Sequence, residues 1–201
     1  MRRLARLLAV ALPLVAAMPA LANRDGPPRM RPIDAIIIHS LGGPDCRDGV
    51  VFHKQIDGTA REWADFFARL PGVSIHYVVD RAGAVAAGLP ESKVASHAIG
   101  WNRRSIGIEL VNNGDGRDPF TAPQLAALLR LVHDIRARHP AVRPETIRRH
   151  SDVDVSTFPV AKHGPGCDRH RRKLDPGDAF PWAAFIEAVR ERRAELPAPP
   201  R

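Results

Sequence analysis

Ala35-Ile36-Ile37-Ile38-His39 is a short, unbroken and mostly β-branched run. A half-exposed strand would alternate apolar with polar residues, so this composition reads as a central strand covered on both faces. Such a strand needs neighbours and covering helices, and the flanking sequence supplies them. From Gly58 to Leu70, Trp63, Phe66, Phe67 and Leu70 recur at helical spacing among Arg61, Glu62, Asp65 and Arg69, an amphipathic helix whose aromatics are assigned to the core. Val73 to Asp80 and Ala84 to Ala87 flank Asp80-Arg81-Ala82-Gly83, the pattern of a hairpin. Ser105-Ile106-Gly107-Ile108-Glu109-Leu110-Val111 is a second informative strand. Alternation sends Ile106, Ile108 and Leu110 to one face and Gly107, Glu109 and Val111 to the other. Thr121 and Gln124, at capping-box spacing, open a long helix with Leu125, Leu128, Leu129, Val132 and Ile135 on its apolar face. A last helix runs from Trp182 to Leu196 and packs through Phe185, Ile186 and Val189. Strands mixed with a few helices in this length predict an α/β fold, a single domain with a mixed central β-sheet flanked by helices.

The N-terminus has a separate logic. Arg2, Arg3 and Arg6 precede an uncharged run from Leu7 to Leu21 that ends in Ala20-Leu21-Ala22, the charged, apolar and small-residue order of a secretory signal. Pro13 and Pro19 interrupt that run, which is shorter than the roughly 20 residues of a spanning helix. Residues 1–22 therefore read as a signal peptide without a stable membrane anchor, 23–32 as a loose polar leader, 33–196 as the folded domain and 197–201 as a tail. The expected location is exported, periplasmic or secreted. The whole chain has a formal charge of +8, and removing residues 1–22 takes away three Arg and no acid, which leaves +5. That balance suits an anionic polymer. The basic residues are dispersed and no tract of them alternates with aromatics, so nucleic acid is not an expected partner. Two Cys in an exported chain invite a disulfide: Cys46 follows Gly42-Gly43-Pro44-Asp45, and Cys167 follows His163-Gly164-Pro165-Gly166. A Cys46–Cys167 bridge would join two Gly/Pro-rich loops; two unrelated thiols are the other reading, and spacing gives no distance to decide between them.

Chemistry concentrates in a few places. Glu109 is a lone carboxylate between Gly107 and Val111 on one strand face, a costly choice unless it has a partner or a task. Lys173-Leu174-Asp175-Pro176-Gly177, followed by Phe180-Pro181-Trp182, joins a cation and a carboxylate to a turn that Pro and Gly make rigid. His39 at a strand end, His150 in a polar turn after a basic strand and Asp175 form a possible set of three ligands, the number typical of a catalytic zinc. By spacing alone the signal is weak, because nine His residues offer many accidental triples.

These pieces together resemble the zinc-dependent N-acetylmuramoyl-L-alanine amidases of the type 2 family, which also includes peptidoglycan recognition proteins and a bacteriophage lysozyme-amidase. The segments that carry the resemblance are Ile36-Ile37-Ile38-His39-Ser40, Ser74-Ile75-His76-Tyr77-Val78-Val79-Asp80-Arg81, Ala95-Ser96-His97-Ala98, Ser105 to Leu110, Arg149-His150-Ser151-Asp152 and Lys173 to Gly177. They follow the family's order over nearly all of residues 33–186. The resemblance implies one zinc ion on His39, His150 and Asp175, with Glu109 as the acid/base carboxylate and Lys173 beside the scissile carbonyl. It implies a peptidoglycan or muropeptide substrate, and a monomer is expected. Some relatives place a catalytic Tyr just before the His of the Ser-x-His strand, where this chain has Ile75; that departure favours the branch that uses the strand Glu. His97, Trp101, Asn102 and Arg103 fall where the family meets its substrate, although a loop anchored by a half-buried Trp explains Trp101 equally well. Residues 155–172 read as an insertion that gates the cleft, binds glycan or decorates the surface, with His163 and His170 as rival ligands. A non-catalytic peptidoglycan-binding protein of the same fold is the main alternative function, and a zinc peptidase cutting within the stem peptide is a third.

Overall fold

The structure, a computed structural model, describes residues 26–196. The expected signal peptide and the tail 197–201 lie outside the described residues. Ala35–Ser40 forms strand β1, and all six of its residues are buried, as expected of a central strand. It lies inside a five-stranded sheet of order β5-β4-β6-β1-β7, built with β4 Tyr77–Val79, β5 Val85–Ala87, β6 Ser105–Leu110 and β7 Ile147–Arg149. β1 runs parallel to β6 and β7, and β4 parallel to β6; only β5 at the edge is antiparallel, through the expected hairpin. β2 Pro44–Arg47 and β3 Val50–His53 form a separate two-stranded ribbon, where the Gly/Pro-rich sequence around Cys46 predicts loop.

Each face of the sheet has its own cover. Ile36, Ile38, Ile106, Ile108 and Leu110 point into the main core under α2 Ala122–Arg138 and α5 Trp182–Arg190. Val78 and Val111 point the other way, towards Ala60, Ala64 and Phe67 of α1 Ala60–Arg69. α1 starts at a reciprocal cap: Thr59 accepts from the Glu62 backbone N–H, and the Glu62 carboxylate accepts from the Thr59 N–H. α5 stops at Arg190 instead of Leu196 because Glu191 to Glu195 bring no further large apolar residue to its packing face. Two single-turn helices complete the fold, α3 His150–Val153 and α4 Val160–His163.

The leader differs from its expectation between residues 26 and 32. Pro28 bridges Lys93, and the Arg29 guanidinium donates to the carbonyls of Glu91, Lys93 and Ser105 at 2.9–3.1 Å. A single side chain that satisfies three partly buried acceptors ties this stretch to the sheet.

Candidate active site

Parallel strands collect their functional residues at their carboxyl ends, and the register of this sheet does so here. His39 pairs with Glu109 across β1 and β6, and Arg149 of β7 pairs with Ile38, which puts His150 beside His39 as the first residue of α3. Asp175 arrives from a loop whose carbonyl accepts the Ser151 N–H at 3.0 Å. That loop is anchored by Phe180, buried against Phe120 and Phe185, while Arg149 lies over the Trp182 ring.

Three donor atoms converge. His39 Nδ1 is 2.9 Å from His150 Nδ1, His150 Nδ1 is 2.9 Å from Asp175 Oδ2, and His39 Nδ1 is 3.4 Å from the same oxygen. All three residues are buried, and they form a group able to hold a metal ion. Bonds of about 2.0–2.1 Å to a tetrahedral zinc require donor separations of about 3.3 Å, so the trio is slightly tighter than a loaded site and matches it in donor type. Burial lowers the His39 pKa to about 4, which leaves its nitrogen lone pair free for a cation at neutral pH. Burial alone would raise Asp175, but its close contacts with His150 and then His39 outweigh it and keep the carboxylate ionised. Glu109 behaves oppositely. Burial and the nearby Asp175 charge raise it to about 8, against the pull of Lys173, and its buried Oε2 has no hydrogen-bond partner. A divalent cation at the trio would favour its ionised form again.

His39, His97, Glu109, His150, Lys173 and Asp175 line one cleft of about 450 Å³. One wall is aromatic. Phe67 is core and Trp63 packs against that core, as expected, but both also line the cleft, and Phe66 beside them is 42% exposed. Three aromatics on one short helix make a stripe wider than a single packing seam, and that was the available signal. The opposite wall carries Lys54, Lys162 and His163. It is built from the 155–172 insertion clasped to the β2–β3 ribbon by the Cys46–Cys167 disulfide, which excludes the reading of two separate thiols. His163 Nδ1 meets the Cys46 carbonyl and His170 Nε2 meets the Gly49 carbonyl, so neither rival joins the trio.

The expected substrate contacts divide. His97 lines the cleft, yet both of its ring nitrogens bond to protein: Nδ1 to His39 Nε2 at 2.9 Å and Nε2 to Ser105 Oγ at 3.2 Å. Trp101 stacks under Arg104, and Asn102 Oδ1 accepts from the backbone N–H groups of His97 and Ala98. Arg103 opens onto a different hollow beside Arg31. Trp101, Asn102 and Arg103 thus do not line the cleft: Asn102 is turned to its own loop backbone and Arg103 is exposed on another side.

Residues 29–178 match the Amidase_2 family, N-acetylmuramoyl-L-alanine amidase. The endolysin of Enterobacteria phage T3 is 34% identical over 135 residues, 63% of this chain and 80% of the endolysin. The endolysin of Enterobacteria phage K11 is 34% identical over 91 residues, 43% of this chain, and the match spans only 58% of that relative. Among solved structures, the Escherichia coli amidase AmiD in complex with the substrate anhydro-N-acetylmuramic acid-L-Ala-D-gamma-Glu-L-Lys superposes with a TM-score of 0.55 at 25% identity, covering 87% of this chain and 62% of AmiD. On this match the chain belongs to the N-acetylmuramoyl-L-alanine amidase family.

Proposed function

We propose that the protein is an exported zinc amidase that hydrolyses the bond between the lactyl group of N-acetylmuramic acid and L-alanine in peptidoglycan or muropeptides. The observation that carries this reading is the convergence of His39, His150 and Asp175 on one point, next to a buried Glu109 oxygen that lacks a partner. Zinc bound by these three residues supplies Lewis acidity and a water acidified to a pKa of about 7. Glu109 takes a proton from the attacking water and returns it to the departing amine. Lys173, a cleft cation without an ion pair among the described residues, stabilises the carbonyl oxygen as negative charge develops there. Lys162 on the cleft wall, beside a Lys54 that is 3.7 Å from Asp45, suits a carboxylate of a stem peptide. The Cys46–Cys167 bridge supports export, because disulfides persist in oxidising compartments.

Mass spectrometry of digests made by the purified chain tests this. Expected products are free stem peptides beginning at L-alanine, abolished by a chelator and restored by zinc. Cleavage between sugars or within the stem peptide would overturn the assignment, and muropeptide binding without release would select the non-catalytic alternative.

A further inference from the structure

We propose that His97 is a positioning residue for the metal ligand His39, holding it in the tautomer whose Nδ1 is open to a divalent cation. This rests on the zinc reading of the trio given above. The Trp101 carbonyl can only accept, so the Ser105 hydroxyl, 2.8 Å away, donates to it. The Ser105 oxygen then accepts from His97 Nε2 at 3.2 Å. With its proton placed on Nε2 towards Ser105, the His97 imidazole presents a lone pair at Nδ1. That lone pair faces His39 Nε2 at 2.9 Å and accepts its proton. His39 is therefore protonated at Nε2 and unprotonated at Nδ1, the atom that meets His150 and Asp175. Every link runs the same way, from the metal ligand out to a backbone carbonyl.

The surroundings are shaped for this relay. Gly107 is the β6 residue beneath the His97 ring, and a Cβ there would lie 2.6 Å from His97 Nδ1 and 2.7 Å from its Cγ. The gap that Gly107 leaves in the strand is filled by the imidazole. From the loop side, Asn102 Oδ1 holds the His97 and Ala98 N–H groups at 2.9 and 2.7 Å, fixing the backbone from which the ring projects. Ser105, at the start of β6, is fully buried. A ligand imidazole oriented through its second nitrogen is a general feature of metal sites, and losing such a partner typically costs about 10–100-fold in metal affinity.

Zinc affinity of the full chain, measured by competition with a chromophoric chelator, tests the assignment. His97→Leu should weaken binding about 10–100-fold. His97→Asn should stay within a few-fold of wild type, because its Oδ1 sits on Cγ where Nδ1 sat and accepts the same proton. At saturating zinc, His97→Leu should recover most of its kcat with KM little changed; a substrate-contact role predicts the reverse, unchanged zinc affinity and a raised KM. Long-range 1H–15N imidazole spectra of the wild type give a readout independent of any variant's folding: His39 and His97 should both appear as Nε2–H tautomers. A proton on His97 Nδ1, or wild-type zinc affinity in His97→Leu, would overturn the proposal while leaving the zinc site intact. A wild-type chain that binds no zinc would instead overturn the metal reading and this inference with it.

Discussion

Glu109 and His76 show how one face of a sheet sets two opposite protonation states. Glu109 stands between Ile108 and Leu110, which belong to the main core, and points alone into the cleft with a pKa raised to about 8. Replacing it by Gln keeps the shape and removes the proposed base. The expected result is a loss of about 10²–10⁴-fold in kcat with zinc content unchanged, measured by stem-peptide release and metal analysis. His76 is buried and accepts the Gly107 N–H on Nδ1 at 3.0 Å, so its proton lies on Nε2, which is 3.2 Å from the Lys93 carbonyl and 3.1 Å from Arg29 Nη2. A second proton would have to displace that backbone donor. Burial, and after it the Arg29 charge, accordingly lowers its pKa to about 4. The folded state then stays neutral where the unfolded chain takes up a proton. The stabilisation is complete above about pH 6.5 and is lost as pH falls towards 4, a total on the order of 3 kcal/mol. Urea unfolding of metal-free protein should show a shallower loss between pH 7 and 4 for His76→Asn, which still accepts from Gly107 and does not titrate; an unchanged slope would refute the assignment.

At the scale of elements, most strands and helices were legible because each carries its own periodicity, and the departures come where a side chain serves a neighbour. Thr121 and Gln124 have capping-box spacing, and Thr121 does accept the Gln124 N–H at 3.3 Å. The Gln124 amide does not return to the cap. It donates to the carbonyls of Val79 and Val111 at 3.1 Å, linking the ends of β4 and β6 from beneath α2. Gln124→Ala removes both bonds, opens a cavity and leaves the Val111 carbonyl without its donor, so stability should drop by about 2–4 kcal/mol in denaturant unfolding. A change under about 0.5 kcal/mol, the size of an ordinary surface substitution, would show that the bonds are replaced. The β2–β3 ribbon was missed for a related reason. Its residues are mostly half-exposed or exposed, and the apolar partners of its buried Cys46, Phe158 and Cys167, come from the distant insertion.

For the molecule as a whole, the cleft depends on closures between distant parts of the chain. The disulfide spans 121 residues and fixes the insertion to the ribbon, and both Cys are buried around Phe158. Cross-linking so long a loop mainly restricts the unfolded chain. The Cys46→Ser, Cys167→Ser double variant should lose about 2–5 kcal/mol of stability, and its proteolysis should begin in residues 155–172. Cutting elsewhere first would mean that the cleft wall stands without the bridge.

The sequence by itself determined the central strand, the helix faces, the hairpin, and the residue types His39, Glu109, His150, Lys173 and Asp175 at segment ends, because spacing of 2 or 3.6 encodes which side of an element is buried. Only the tertiary structure decided which of those residues meet. His39 and His150 are 111 residues apart and His150 and Asp175 are 25 apart, and it is parallel register and loop anchoring that bring their donor atoms together. Periodicity also says nothing about what fills a gap, and so the sequence marked Gly107 as leaving room beside Glu109, whereas the fold puts the ring of His97 there, behind His39.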